Sequence, residues 1–339
     1  MNARPRSSQA GRRLFAGIAC GVAALLAASG CGSSSDSKDS GTGGGNSTVR
    51  ITTLGLCNEI PVFWAQEKGI FAKNNVTVEL VKSTGGAAAL TALQSGDIDL
   101  AFTNPFSTMI AISQGIDLKW IATAYETTND EGQGTNAIAV AKDSGITDAK
   151  SLNGKTVGVN EIGGINQIIT VQWMTMKGGD PSTVKFVALP FNELASAVAS
   201  GKVAAAQVPA QNVDPNLGLH SLGDPYVAVG NGKPLTFAGY VAVSKKSTSY
   251  EKQFKAFQQS LIEADQQINL PENSDAKFAM EAKNCKQDVN VLKKLHENIY
   301  EARVDTASLQ RMGVILKDQS RVKEPAKPAD FVPSYVVTK

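Results

Sequence analysis

Residues 78–102, VELVKSTGGAAALTALQSGDIDLAF, contain a complete strand–helix–strand unit. An alternating run predicts a β-strand, Gly85-Gly86 opens an Ala/Leu-rich helix, and Gly96 ends that helix before an apolar run that predicts a second strand. Residues 197–207, AVASGKVAAAQ, repeat the helix–glycine–strand step about a hundred residues later. The repetition indicates two halves that are built alike.

Strands and helices alternate on both sides of this unit. The first series contains the strands VRITTLGL (49–56), VTVELVK (76–82), IDLAFTN (98–104) and LKWIATAYE (118–126), with the helices IPVFWAQEKGIFAKN (60–74) and PFSTMIAISQG (105–115). The second contains TVGVN (156–160), VKFVALP (184–190) and VAAAQVP (203–209), entered through NAIAVAKDSGI (136–146) and left through PLTFAGYVAVSKK (234–246). This alternation predicts an α/β fold with mainly parallel sheets flanked by helices.

The chain passes twice between the two series, which predicts two lobes joined by two hinge strands. We expect lobe 1 to comprise residues 49–137 and 244–339, and lobe 2 to comprise residues 138–243. From Ser249 onward the pattern is largely helical, because 250–269 and 290–304 have apolar residues at three- and four-residue spacing. This C-terminal part is expected to pack on lobe 1.

The N-terminus has the pattern of an export signal. Residues 1–30 carry four arginines and no acid, followed by a short stretch of small apolar residues, which predicts a signal peptide. The residues before Cys31 resemble a bacterial lipobox, although Ala28 stands where leucine is usual, and this implies lipidation of Cys31. An ordinary secretory peptide with an incidental cysteine is the alternative. Arg12-Arg13 leaves both Sec and Tat export open.

Residues 31–48 are rich in Ser, Gly and Asp and predict a flexible tether. The expected location is therefore the extracytoplasmic face of the cell membrane, with the folded body held there by a lipid anchor. The net charge is +2, of which the signal peptide supplies the positive excess, and no cluster of Lys or Arg remains. Nucleic-acid binding is therefore not expected.

Four cysteines and two histidines limit the redox and metal chemistry. Cys20 leaves with the signal peptide and Cys31 would be lipidated, so Cys57 and Cys285 remain and could pair as a disulfide outside the cytoplasm. His220 and His296 stand singly and match no metal-ligand spacing. We expect no metal, no cofactor and no catalytic residues, and a monomer.

The ligand site is expected in a crevice at the carboxyl ends of the strands. Gly85-Gly86 and Gly163-Gly164 each open a helix, whose bare N–H groups favour an anion or a carbonyl-like oxygen. Each residue taken singly is also explained by packing or capping, and Trp64 equally fits the core of its helix. The candidate ligand-binding residues are Asn58, Glu59, Trp64, Ser83, Thr84, Gly85, Gly86, Thr103, Asn104, Tyr125, Glu126, Glu161, Gly163, Gly164, Asn166, Phe191 and Gln207.

Several stretches resemble the nitrate/sulfonate/taurine/thiamine-precursor branch of the substrate-binding proteins of ABC transporters. They are PVFWAQEKGIF (61–71), VELVKSTGGAAALTALQSGDIDLAF (78–102), AVAKDSGITDAKSLNGKTVGV (139–159) and the region 188–206. The resemblance implies a type II periplasmic-binding fold, and a receptor that closes on its solute and delivers it to an ABC permease and its ATPase.

The resemblance further implies a taurine- or alkylsulfonate-like ligand, or another small organic anion or zwitterion. The sequence departs from the family at GKVAAAQVP (201–209), where alanines replace an acidic step, and four arginines remain in the mature chain, none at a strand end of the cleft. A dianion held by a guanidinium is therefore disfavoured. The alternatives are a receptor for a thiamine-pyrimidine precursor, a related enzyme, or a sensing module for a membrane signalling partner.

Overall fold

The computed structural model describes residues 47–129, 134–294 and 298–339. Ten strands lie in these ranges: β1 (Ser47–Thr53), β2 (Val76–Lys82), β3 (Ala101–Thr103), β4 (Leu118–Glu126), β5 (Asn136–Ala141), β6 (Thr156–Val159), β7 (Lys185–Ala188), β8 (Ala205–Pro209), β9 (Leu219–Ser221) and β10 (Thr236–Val243). The predicted signal peptide, most of the tether, Cys31 and His296 lie outside the described residues.

Thirteen α-helices lie in the same ranges. They are α1 (Ile60–Glu67), α2 (Ile70–Lys73), α3 (Gly86–Ser95), α4 (Pro105–Ser113), α5 (Ile165–Met176), α6 (Phe191–Ala199), α7 (Pro225–Gly230), α8 (Ser244–Ser249), α9 (Glu251–Ile268), α10 (Ser274–Cys285), α11 (Val289–Leu292), α12 (Thr306–Asp318) and α13 (Pro328–Phe331). Within the described part of the chain, no helix is both long and apolar enough to cross a membrane.

The strands of lobe 1 form two ladders. β1 pairs with β2 in parallel, and β10 lies between β3 and β4, antiparallel to both. A parallel bridge between Ile51 and Leu100 joins the ladders. β1 to β4 therefore share one direction, and β10 alone runs against them.

Lobe 2 repeats this plan in a five-stranded sheet of order β7-β6-β8-β5-β9. β6 pairs in parallel with β7 and β8, whereas β5 is antiparallel to β8 and β9. In each lobe the strand of opposite direction is the first one after the chain crosses from the other lobe. The predicted α/β fold is confirmed, but the sheets are mixed and not mainly parallel, because β10 and β5 each pair antiparallel with both of their neighbours.

Two details differ from the sequence prediction. β10 pairs with β3 and β4, so residues 236–243 lie in the sheet of lobe 1 and the chain returns before this strand, not after it. In the predicted helix 290–304, α11 ends at Leu292 and the backbone of Ile299 pairs with Glu126. Sheet pairing thus overrides the helical spacing of that segment.

Helices cover both faces of the sheet of lobe 1. α1 and α9 bury Trp64, Phe254 and Phe257 against one face, and α3, α4 and α12 pack on the other. The C-terminal helices α9 and α12 thus pack against the sheet that contains β4 and β10. In lobe 2, α6 covers one face of the sheet and α5 covers the other.

Candidate ligand cleft

A cavity of about 580 Å³ lies between the two lobes. Lobe 1 contributes the loop 54–58 after β1 and Tyr125 at the end of β4, and lobe 2 contributes Phe191 at the start of α6 and the segment 209–212 after β8. Phe278 and Glu281 of α10 close one side. The carboxyl ends of the parallel strands thus form the cavity, as expected for open α/β sheets.

Glu59 holds the loop 54–58 in place from behind. Its Oε1 accepts hydrogen bonds from the backbone N–H groups of Leu54 at 3.0 Å and Leu56 at 2.8 Å. The side chain is 2% exposed, and this burial raises the pKa of Glu59 to about 7 although the N–H groups oppose the rise. Glu59 therefore supports the wall of the cleft and does not line it.

The same loop is fixed covalently to α10. Cys57 and Cys285 form a disulfide with their Cα atoms 4.8 Å apart, and Asn284 donates a hydrogen bond to the carbonyl of Leu56. The amide of Gln211 lies 3.4 Å from the sulfur of Cys57, so a residue of lobe 2 reaches this bridge. The disulfide is part of the wall on the lobe 1 side.

Tyr125 lines the cavity, whereas its hydroxyl oxygen is buried. The residue is 1% exposed, its Oη has no hydrogen-bond partner, and burial raises the pKa of this phenol well above its ordinary value. Asn58 approaches the hydroxyl without hydrogen-bond geometry, and its own Oδ1 is also unpaired. Buried polar atoms without partners are uncommon in folded proteins, and these two lie next to each other behind the cavity wall.

The two Gly-Gly turns lie close together, and the carboxylate of Glu161 lies between them. A Cβ at Gly85 would lie 3.6 Å from Oε2 of Glu161, and one at Gly164 would lie 3.2 Å from the same atom. Burial raises the pKa of Glu161, and the N–H of Ala87 in the first turn of α3 opposes the rise. The carboxylate thus occupies the helix start that the sequence suggested for a ligand anion.

The remaining candidates near this junction have structural contacts. Ser83 Oγ donates to the carbonyl of Gly85 at 3.0 Å, Thr84 is exposed, and the N–H of Gly163 donates to Gln167. A Cβ at Gly86 would lie 2.8 Å from Oγ1 of Thr103, so this glycine allows close packing of α3 on β3. None of these residues lines the cavity.

Five other candidates also lie away from the cavity wall. Trp64 is a core residue whose Nε1 donates to Gln267, and Asn104 caps α4 by accepting from the N–H of Ser107. Buried Glu126 pairs with Lys339. The two others are held by amide and hydroxyl contacts: Asn166 bonds to Asn160 and Tyr226, and Gln207 bonds to Asn136.

The cavity therefore brings together Asn58, Tyr125 and Phe191 from the predicted set. The sequence reasoning missed Phe237 of β10 and the C-terminal residues Phe278, Glu281, Asn298 and Tyr300. One signal for α10 is available in the sequence, because Cys285 follows Glu281 by four residues and could pair with Cys57.

Known proteins of two kinds are similar to this chain in sequence. A Bacillus subtilis (strain 168) protein named putative aliphatic sulfonates-binding protein is 24% identical over 308 residues, covering 85% of this chain and 87% of that protein. A 4-amino-5-hydroxymethyl-2-methylpyrimidine phosphate synthase of Uromyces fabae is 28% identical over 128 residues, covering 37% of this chain and 36% of that enzyme.

Among solved structures, the periplasmic aliphatic sulphonate binding protein SsuA from Escherichia coli superposes with a TM-score of 0.67 at 18% identity, over 84% of this chain and 97% of SsuA. The predicted periplasmic-binding-protein fold is thereby confirmed. Residues 57–264, more than half of the chain, match the family described as NMT1/THI5 like. The protein therefore belongs to the NMT1/THI5-like family.

Proposed function

We propose that the protein is an extracytoplasmic solute-binding receptor of an ABC importer. The observation that carries this proposal is the cavity of about 580 Å³, whose walls come from both lobes and combine aromatic rings with amide and hydroxyl groups. Cavities of this size and mixed lining are typical of small-molecule sites. The same class is supported by the similarity to the Bacillus subtilis protein named putative aliphatic sulfonates-binding protein and to the aliphatic sulphonate binding protein SsuA from Escherichia coli.

The mechanism is closure of the two lobes around a solute. Tyr125 of lobe 1 and Phe191 of lobe 2 face one cavity, so a ligand that contacts both has more contacts in the closed form than in the open form. This difference in affinity shifts the population toward the closed form. The closed form then presents both lobes to the permease and its ATPase.

The location proposed for the receptor follows from the N-terminal pattern. A signal peptide over residues 1–30, lipidation at Cys31 and a tether to residue 48 would keep the binding domain beside the permease. Taurine- and alkylsulfonate-like molecules are the first ligands to test, because a similar Bacillus subtilis protein is named putative aliphatic sulfonates-binding protein.

A second candidate function is an enzymatic one. The 28% identity to a pyrimidine phosphate synthase over 128 residues favours it. A receptor returns its ligand chemically unchanged, whereas an enzyme releases a product of different mass. Mass spectrometry of the ligand before and after incubation separates the two functions.

The proposal is tested with the purified full chain and a small-molecule extract of the cells that naturally produce the protein. We expect a rise in Tm with the extract, since a ligand at a hundred times its Kd adds about 2.7 kcal/mol to the free energy of unfolding. Phe191→Ala should remove this rise, and Glu193→Ala, an exposed neighbour on α6 outside the cavity wall, should retain it. If the extract raises Tm by the same amount in the wild type and both variants, the ligand does not bind in the cleft.

A further inference from the structure

The described lining of the cleft contains acidic side chains and no basic one. Glu281 of lobe 1 and Asp214 of lobe 2 line the cavity from opposite sides, and among its described lining residues there is no Lys, Arg or His. Glu281 is 6% exposed and accepts a hydrogen bond from Tyr300 at 2.9 Å. The described lining of the cleft therefore offers carboxylates, and no basic side chain, to a ligand.

The basic residues of this region lie on the other side of the same wall. A second cavity of about 660 Å³ shares Leu54, Gly55 and Cys285 with the cleft, and its charged lining residues are Lys82, Lys283, Lys286 and Glu67. Lys277 has its Nζ 5.1 Å from the ring centroid of Phe278 but does not itself line the cleft. These four lysines are therefore close to the wall of the cleft without being part of its lining.

Aromatic rings complete the lining. Apart from Phe278, which Lys277 already faces, they are Tyr125, Phe191, Phe237 and Tyr300. Tyr125 stacks on Phe237 with the ring centroids 5.0 Å apart. Aromatic faces and edges near carboxylates form the environment that desolvated organic cations prefer, because the negative face of a ring attracts a positive charge.

We propose that the solute of this cleft is an organic cation, a small molecule that carries a substituted ammonium group. This assignment rests on the receptor function proposed above and specifies its ligand class. The cationic group contacts the aromatic rings and the Glu281 carboxylate of the cavity wall. A sulfonate meets carboxylates on both sides of the cleft and, at the Gly-Gly junction, finds the α3 start occupied by Glu161.

The test uses three probes of similar size and different charge: choline, its uncharged carbon isostere dimethylbutanol, and the anion isethionate. Isothermal titration of the full chain should give a Kd for choline that is lower than the Kd for either other probe by roughly tenfold or more. Glu281→Gln retains an acceptor for Tyr300 and should weaken choline binding about tenfold without changing the affinity for dimethylbutanol. Glu272→Gln, an exposed change before α10, is the matched control.

The outcomes separate this assignment from the receptor proposal. Equal or tighter binding of isethionate or dimethylbutanol overturns the cation assignment but leaves a solute receptor. An unchanged choline affinity in Glu281→Gln also overturns it. If no probe binds and no extract component raises Tm, the receptor function fails and the assignment fails with it.

Discussion

Two buried carboxyl groups carry an energetic cost that depends on pH. Asp265 on α9 is 4% exposed and neither carboxyl oxygen has a hydrogen-bond partner, so burial raises its pKa well above the ordinary value. Glu59 has a pKa of about 7 for the same reason. A carboxyl group with a raised folded-state pKa binds its proton more tightly in the folded state than in the unfolded state. Its contribution to stability is therefore greatest below the unfolded pKa and is lost as the pH rises toward the folded pKa.

Replacing Asp265 with asparagine should remove the loss of stability that Asp265 causes as the pH rises. We expect Asp265→Asn to match the wild type near pH 4 and to become more stable than it as the pH rises, by at most about 1.4 kcal/mol per pH unit for a single proton. Urea denaturation at a series of pH values measures the difference, in which the contribution of Glu59 cancels. Asp143→Asn, an exposed change, should follow the wild-type curve. Parallel curves for Asp265→Asn and the wild type would show that Asp265 is charged in the folded protein.

The neighbours Tyr125 and Glu126 show how far single residues could be predicted. The sequence places both residues at the end of β4 and predicts that both line the cleft. Successive side chains of a strand point to opposite faces, so only one of the two could face the cavity. Tyr125 does, whereas Glu126 pairs with Lys339, a contact between residues more than two hundred positions apart that no local pattern reveals.

At the scale of elements, the loop 54–58 depends on α10 for its position. Its covalent link closes a chain segment with a sequence separation of 228 residues. Long closed segments lose much conformational entropy in the unfolded state, so the bridge stabilises the folded state. The loop also separates the cleft from the second cavity, and its position therefore sets the shape of both.

The double change Cys57→Ser with Cys285→Ser should lower the free energy of unfolding by roughly 2–5 kcal/mol. Denaturation in urea measures the loss, and the wild type in dithiothreitol should show the same midpoint as the double variant. Dithiothreitol should leave the double variant unchanged, which controls for reduction at other cysteines. A wild-type midpoint that does not move, although mass spectrometry detects both thiols, would contradict a stabilising role for the bridge.

The elements that could be predicted are those with a strong local pattern. Gly85-Gly86 and Gly96 bound α3 because a helix start and a helix stop are encoded within a few residues. The C-terminal segment 290–304 has helical spacing, yet Ile299 and Val304 pair with the distant residues Glu126 and Thr338. The position of β10 in lobe 1 was missed for the same reason, since strand partners are chosen by tertiary contacts.

At the scale of the whole molecule, one hydrophobic cluster spans both lobes. Ile165, Ile168 and Ile169 of α5 in lobe 2 are buried with residues of α3, α4 and α12 in lobe 1. Gln319, just after α12, donates a hydrogen bond to the carbonyl of Ile168 at 2.9 Å. A separation of the lobes that exposed this cluster would cost the burial of several isoleucine side chains. Lobe motion is therefore expected to pivot about this contact, while the cavity opens elsewhere.

The shared cluster also predicts that the two lobes unfold together. Calorimetry of the wild type should show one transition with equal calorimetric and van't Hoff enthalpies, although two-lobed chains often unfold in steps. Ile168→Ala removes a fully buried side chain and should cost about 2–4 kcal/mol. Because the loss falls on the contact between the lobes, the van't Hoff enthalpy should drop below the calorimetric one as the transition separates. Thr175→Ala on the exposed face of α5 should keep the two enthalpies equal. Two transitions in the wild type, or a variant that loses stability but still unfolds in one step, would mean that the cluster does not couple the lobes.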